Sequence, residues 1–365
     1  MTASRTLPGL DHLRALAIAL VFVFHYGLFP HPTWIEDIGA FGWIGVDLFF
    51  VLSGYLIADQ LFRAQQRSGT IALRSFYLRR AFRILPAYFT MVALYFLFPL
   101  IREREGIAPL WKYITFTQNI GLDLNTQGTF SHAWSLCVEE HFYLLLPLVM
   151  LTATRLHFRH AGALLAILLI TGPVARAWAW WHGIPVELRG QASTDWYTWV
   201  YYPTPCRLDG LLVGISIAAV ARYRPSWWQR LRMSGTALLA CGCALLALAW
   251  GLSQDRYGLG GSVIIFTVVA GAFGCGLLAM LRPGFVPGLR ATWMSRQLSE
   301  LAFCLYLTHK AAIHCTQTWL ASDALPMNGA AMFGCCLITS VLSALALRWM
   351  VEKPFLRLRD RWTVT

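Results

Sequence analysis

The chain has 365 residues, of which 57% are apolar and only 13% charged, and its mean hydropathy is +0.53. Soluble domains run at roughly 45–50% apolar and about 25% charged, so a soluble globular enzyme, a disordered chain and a fibrous protein are all excluded. The net charge of +12 would point to nucleic acid in a soluble protein. In so apolar a chain it reads as Lys and Arg collected in cytoplasmic loops, and no nucleic-acid partner is expected.

The apolar runs are long and continuous, which selects helices over a transmembrane β-barrel. Ten runs are long enough to cross about 30 Å of hydrocarbon: residues 10–29, 43–62, 84–101, 134–153, 161–181, 206–221, 235–252, 262–281, 298–320 and 330–350. The expectation is an all-α polytopic membrane protein of about ten transmembrane helices over residues 1–352, with 353–365 as a short cytoplasmic tail. The first run holds an ionisable residue and has no small-residue cleavage site, so it reads as a retained crossing and not a signal peptide. With the N-terminus in the cytoplasm, 22 of the 30 Lys and Arg fall on the inner side and five on the outer side. That asymmetry places both termini in the cytoplasm. The nine Cys show no metal or redox spacing, and several lie in apolar stretches where Cys acts as a small hydrophobe. Neither a disulfide nor a metal is expected. No internal repeat or low-complexity tract is evident.

The first crossing reads LDHLRALAIALVFVFH. Arg14 and His25 are eleven residues apart, about three turns plus 20° at 3.6 residues per turn, so both project from one face about 16.5 Å apart along the axis. Asp11, Ile18 and Phe22 share that stripe. The bland account is an interfacial Arg anchor and a His capping the outer end. The second crossing, GWIGVDLFFVLSGYLI, buries Asp47, which must face the bundle interior and a partner. Asp47, Val51 and Gly54 share a face, Ser53 points elsewhere, and Ser53 and Gly54 read as small residues for close helix packing.

Before the third crossing, FYLRRAFRILP places Arg79, Arg80 and Arg83 on one cationic face. Guanidinium forks suit phosphate oxygens; on spacing alone, positive-inside retention or binding to anionic lipid headgroups is the favoured account. The fourth crossing opens HAWSLCVEEHFYLLLP. Glu139 and Glu140 point about 100° apart and do not both line one narrow site. Ser135 lies one turn before Glu139 and Tyr143 one turn after. One glutamate is a site residue, or the pair is an ion-pairing strut.

Further on, CRLDG puts Arg207 and Asp209 at the start of the sixth crossing, as a local ion pair or an outer-mouth anchor. LYLTHKAAIH sets Tyr306 and His309 on one face, with Lys310 beside them and His314 about a turn further out. Glu352 and Lys353 in VEKPF read as structural. The outer connections 102–133 and 182–205, rich in Thr, Asn, Asp, Gly, Trp and Tyr, are candidate surfaces for a polar substrate.

Taken in order, these stretches resemble the bacterial membrane acyltransferase family 3, whose members O-acetylate or O-acylate carbohydrates such as lipopolysaccharide O-antigen. The resemblance rests on the arginine–histidine spacing at Arg14 and His25, GVDLFFVLSGYLI with Asp47, and RRxxR at Arg79, Arg80 and Arg83. It continues in WSLxVEExFY with Glu139 and Glu140, RLDG with Arg207 and Asp209, LYLTH with Tyr306 and His309, and VEKP, and so covers most of the chain. The departures are LYLTHKA where many members read LYLWHWP, LDHLRA where LDGLRA is commoner, and no fused extracytoplasmic hydrolase-like domain of the kind some members carry. They bear on the acceptor more than on the chemistry.

The resemblance implies acyl transfer in a bacterial inner membrane. The donor is a cytoplasmic acyl-CoA, acetyl-CoA first, and the acceptor a hydroxyl of an envelope carbohydrate or glycoconjugate presented from outside. Arg14, Arg79, Arg80 and Arg83 would hold the CoA phosphates, and His25 would be the general base; an acyl-His intermediate is the less favoured route. Asp47 or Glu139 would orient His25 or stabilise its imidazolium. Glu140, Arg207, Asp209, Tyr306 and His309 form a second tier, for acceptor binding or oxyanion support. No bound cofactor is implied beyond the acyl-CoA substrate. The rival reading is a transporter or proton-coupled carrier built on the same intramembrane ionisable residues, although neither repeated halves nor matching broken helices are seen. A membrane scaffold would leave the inner arginines and His25 without a task.

Overall fold

The computed structural model describes residues 8–155, 161–282 and 293–362. Arg5, Arg159 and Arg290, which enter the charge asymmetry, and residues 363–365 of the tail lie outside the described residues. Each of the ten apolar runs falls on a helix: α1 Pro8–Tyr26, α2 Ile44–Ser68, α3 Leu73–Leu97, α4 Trp134–Arg155, α5 Ala161–His182, α6 Asp209–Tyr223, α7 Gly235–Ser253, α8 Leu259–Met280, α9 Trp293–Leu320 and α10 Ala330–Leu347. Eight of these, all but α6 and α9, are long and apolar enough to cross a bilayer. With its 15 residues, α6 reaches only about 22 Å. The 28 residues of α9 are long enough, but its apolar run is broken by polar side chains that face inward. The chain is an all-helical, multi-pass membrane protein.

Three boundaries differ from expectation for one reason: hydropathy misses the polar turns at helix ends. The third helix begins at Leu73 rather than near residue 84, so Arg74, Arg79, Arg80 and Arg83 lie within its first three turns. The second runs on to Ser68 and stops at Gly69, whose φ of +69° is the left-handed C-terminal cap that glycine supplies without steric cost. After α10 the chain continues through a π-helical turn at Arg348–Glu352 into a further helix, α11, Lys353–Trp362. The described part of the tail is therefore helical, and it packs against α3.

α1 lies between α2 and α9, and α2 packs along α6. The α2–α6 contact is close because glycines interleave. A Cβ on Gly54 would lie 2.2 Å from the Leu211 carbonyl oxygen, and one on Gly214 would lie 2.3 Å from that of Val51. Small residues at such a seam let two backbones touch within the membrane, so Gly54 has the packing role expected of it. On the outside, Ile167, Ile170, Val174 and Trp178 of α5 and Ile338 and Leu342 of α10 are exposed, as a lipid-facing belt requires.

Candidate active site

Two pockets lie at opposite ends of α1. The first, about 320 Å³, gathers the start of α1 (Asp11, Arg14), the start of α3 (Arg80, Arg83), Ser53 of α2, Ser135, Glu139 and Tyr143 of α4, Tyr306 of α9, Arg348, and Leu356 and Arg359 of α11. The helix ends that the charge pattern assigns to one membrane face thus meet around one basic pocket. Tyr143 donates its hydroxyl proton to Glu139 Oε2 at 2.6 Å, and the Arg80 guanidinium lies 4.4 Å from the centre of the Tyr143 ring. Among the described residues, no carboxylate comes within ion-pair reach of Arg14, Arg80 or Arg83. Cations left without a protein counter-ion at a cavity wall suit a phosphorylated ligand.

The second pocket, about 530 Å³, is lined by His25 from the end of α1, Glu103, Arg104, Ser131 and His132 from the connection before α4, and Lys310 of α9. Trp134, Trp196, Tyr197, Tyr201, Tyr202 and Arg256 also line it, with further aromatic and aliphatic side chains such as Phe24, Trp43 and Phe266. His25 is 7% exposed, so it faces the bundle interior and not lipid. Its Nδ1 lies 2.9 Å from the Val21 carbonyl oxygen. A carbonyl only accepts, so Nδ1 carries the proton, and in the neutral ring Nε2 keeps its lone pair. The support that sequence reasoning gave to Asp47 or Glu139 is a backbone carbonyl of the same helix.

His25 has company. His309 lies 4.9 Å away and His132 5.7 Å away by ring centroids, with 5.0 Å between those two. His309 Nδ1 faces the carbonyls of Leu305 (3.0 Å) and Tyr306 (2.9 Å), which fixes the same tautomer as in His25. Among the described residues its Nε2 is buried and has no hydrogen-bond partner. No group of three or more His, Cys, Asp or Glu among the described residues has metal-holding geometry. His132 is delivered by a strained turn: Phe130 has φ +53°, a region that costs a bulky residue about 1–3 kcal/mol. The Phe130 N–H donates to Glu103 Oε1 at 3.1 Å, and Glu103 in turn pairs with Lys310 at 2.9 Å.

Tyr306 separates the two pockets. Its hydroxyl donates to the backbone oxygen of His132, so the Ser135 hydroxyl, 2.8 Å away, donates to it. Ser135 and Tyr306 line the basic pocket and His132 lines the aromatic one. One tyrosine and one serine therefore stand between a basic chamber and His25.

The remaining candidates sort by their partners. Arg207 Nη2 donates to both Asp47 oxygens, at 2.9 and 3.0 Å, and the guanidinium lies 4.0 Å from the Phe266 ring centre. Arg176 donates twice to Asp209, at 2.6 and 3.1 Å, and also to the carbonyls of Cys206 and Val263. Arg207 and Asp209 therefore pair with other helices, across the bundle and not with each other. Of the two adjacent glutamates, only Glu139 lines the basic pocket. Arg79 does not line that pocket; it lines an adjoining basic cleft that it shares with Arg80, Arg83, Arg359, Gln60 and Asp360. Ser53 lines the basic pocket, where packing alone had been expected of it.

Sequence reasoning passed over His132, Glu103, Arg348 and Arg359 as site residues. His132 had a signal, its place two residues before the WSL stretch, but it sits in a turn where helical periodicity does not operate. Glu103 reaches Lys310 across more than two hundred residues of chain, and no local pattern encodes that.

The comparisons agree with this picture. The O-acetyltransferase OatA of Staphylococcus aureus strain NCTC 8325 is 32% identical over 236 residues, covering 60% of this chain and 36% of the relative. The OatA of strain COL matches to the same extent. The chain thus spans about a third of the length of the curated relatives it matches. No solved structure matches. A family model described as an acyltransferase domain matches residues 7–349, nearly the whole chain, and the chain belongs to acyltransferase family 3.

Proposed function

We propose that the protein is a membrane O-acyltransferase that moves an acyl group, acetyl in the first instance, from a cytoplasmic acyl-CoA to a hydroxyl of an envelope carbohydrate or glycoconjugate, in a bacterial inner membrane. The observation that carries this reading is that one helix serves both pockets. Arg14 opens into a chamber shared with Arg80 and Arg83, and His25, with Nε2 unprotonated, opens into an aromatic pocket about 16.5 Å further along the axis. The O-acetyltransferase name of the matched relatives supports the same chemistry.

The CoA phosphates bind at Arg14, Arg80 and Arg83, and the pantetheine arm runs along α1 past Tyr306. The acceptor sugar stacks on the tryptophans and tyrosines of the second pocket, where apolar ring faces meet aromatic surface. His25 Nε2 takes the hydroxyl proton as the acceptor oxygen attacks the thioester carbonyl. The tetrahedral intermediate collapses, the C–S bond breaks, and the CoA thiolate recovers the proton from the imidazolium. An ester and free CoA result. Burial raises the phenol pKa values of Tyr197 and Tyr202 above their usual range, so both remain protonated hydrogen-bond donors to the acceptor at neutral pH.

The test is transfer of labelled acetyl from acetyl-CoA to envelope glycan by the full chain in membranes. Wild type transfers label; His25→Ala loses about 10²–10⁴-fold in turnover with donor binding retained. Undiminished transfer by His25→Ala removes the base from this residue. No transfer by wild type, with proton-coupled flux in its place, favours the transporter reading.

A further inference from the structure

Outer loops of membrane proteins are poor in Lys and Arg, so the use made of those that are present is informative. Five fall on the outer side in the topology argued above: Arg102, Arg104, Lys112, Arg189 and Arg256. Three of these spend donors on backbone carbonyls. Arg102 bonds to Tyr95, Lys112 to Ile120, and Arg189 to Ile184 and Trp181. The other two, Arg104 and Arg256, line the aromatic pocket, and no ion pair is recorded for either among the described residues.

Arg256 is held by neutral groups, its Nη2 donating to the Tyr257 hydroxyl at 2.5 Å. Lys310, 5% exposed at its side chain, adds a third cation to the wall, and among the described residues Glu103 is the one carboxylate there, its Oε1 paired with Lys310. The acids of the surrounding loops, Glu105, Asp123, Glu187, Asp195 and Asp255, do not line the pocket. Asp123 is occupied by Asn125 N and Thr126 Oγ1. Among the described residues, the pocket that receives the sugar therefore has two guanidinium groups without a counter-ion, beside nine phenylalanine, tyrosine and tryptophan rings.

From this juxtaposition we infer that the acceptor is an acidic sugar, a pyranose bearing a carboxylate, with Arg104 and Arg256 as the residues that select it. The inference rests on the acyltransferase reading and narrows its substrate class. The aromatic wall takes the sugar ring, the guanidinium groups take the carboxylate by charge-assisted hydrogen bonds, and a free ring hydroxyl is left for His25. A neutral sugar fills the same walls and leaves both arginines to water.

The experiment uses the full chain in zwitterionic nanodiscs, which removes anionic lipid as a competitor. Quenching of tryptophan fluorescence reads the binding of galacturonic acid trimers and of galactose trimers of the same linkage. The uronate trimer should bind at least about tenfold tighter at low salt, the value of one charged hydrogen bond, and the advantage should shrink as salt rises. Arg256→Gln should cut uronate affinity about tenfold and leave galactose affinity unchanged, and Arg104→Gln provides the same comparison should the first variant not fold. Equal affinity for the two trimers, tighter galactose binding, or no binding of either overturns the assignment. So does a phosphorylated galactose that outcompetes the uronate. Uronate binding with no acetyl transfer would leave this assignment standing and defeat the acyltransferase reading; equally efficient transfer to both trimers would defeat this assignment alone.

Discussion

Arg176 and Arg207 lie in the middle of the bundle, each fully buried and each paired with a carboxylate, whereas Arg14, Arg80 and Arg83 line a chamber where, among the described residues, no carboxylate comes within ion-pair distance of them. The same side chain serves two ends. In the middle, the charge is cancelled and further tied down, by backbone carbonyls around Arg176 and by the Phe266 face against Arg207, and the pairs lock α2, α5 and α6 together. At the basic pole the charge is left available, as binding an anion requires. Whether an intramembrane arginine is structural or functional is thus decided by its partner, and the partner is usually on another helix.

The sharpest way to break this comparison is to remove one carboxylate from the middle. Asp47→Ala should strand Arg207 and cost about 3–5 kcal/mol, the usual penalty for an uncompensated buried charge. It would show as loss of folded protein or a lowered melting temperature in detergent, and Asp209→Ala should behave alike. Wild-type melting of both would show the pairs to be incidental. At the pole the order reverses. Arg80→Gln or Arg83→Gln should leave melting unchanged and weaken donor binding by about 1.5–3 kcal/mol each, the value of a hydrogen bond to a charged group, read as a raised KM for acetyl-CoA at constant kcat. A lowered melting temperature with unchanged KM would move these arginines into the structural class.

Two smaller effects sharpen the picture. Gly54→Ala pushes a methyl against the Leu211 backbone and should cost about 1–3 kcal/mol by overpacking, measurable as lowered thermal stability with normal KM. Arg79→Gln lies at an exposed position outside the chamber and should change stability by under about 0.5 kcal/mol. A large rise in donor KM there would extend the donor site on to the outer face of α3.

Much of this was legible in the amino-acid sequence, for reasons that also mark its limit. The ten helices follow from hydropathy, and the shared face of Arg14 and His25 follows from helical period, because both are properties of one continuous segment. The divergence of Glu139 and Glu140 follows from the same period, and only Glu139 reaches the chamber. Pairings between helices do not follow from period. Asp47, one of the two carboxylates expected to support His25, is held by Arg207; Arg207 and Asp209, two residues apart, pair with other helices. His132 sits in a single 3-10 turn ahead of α4 and Glu103 in a loop, where neither α-helical period nor hydropathy speaks, and α11 brings Arg359 to the chamber only because the tail folds back along α3.

The central claim is that donor and acceptor enter from opposite ends of α1 and meet at His25. It is tested most directly in proteoliposomes holding the full chain in one known orientation, with labelled acetyl-CoA on one side and acceptor glycan on the other. The account predicts labelled glycan when acetyl-CoA faces the chamber of Arg14, Arg80 and Arg83 and glycan faces the aromatic pocket, and none with the two exchanged. Labelling only when both substrates are supplied on the aromatic side would contradict it.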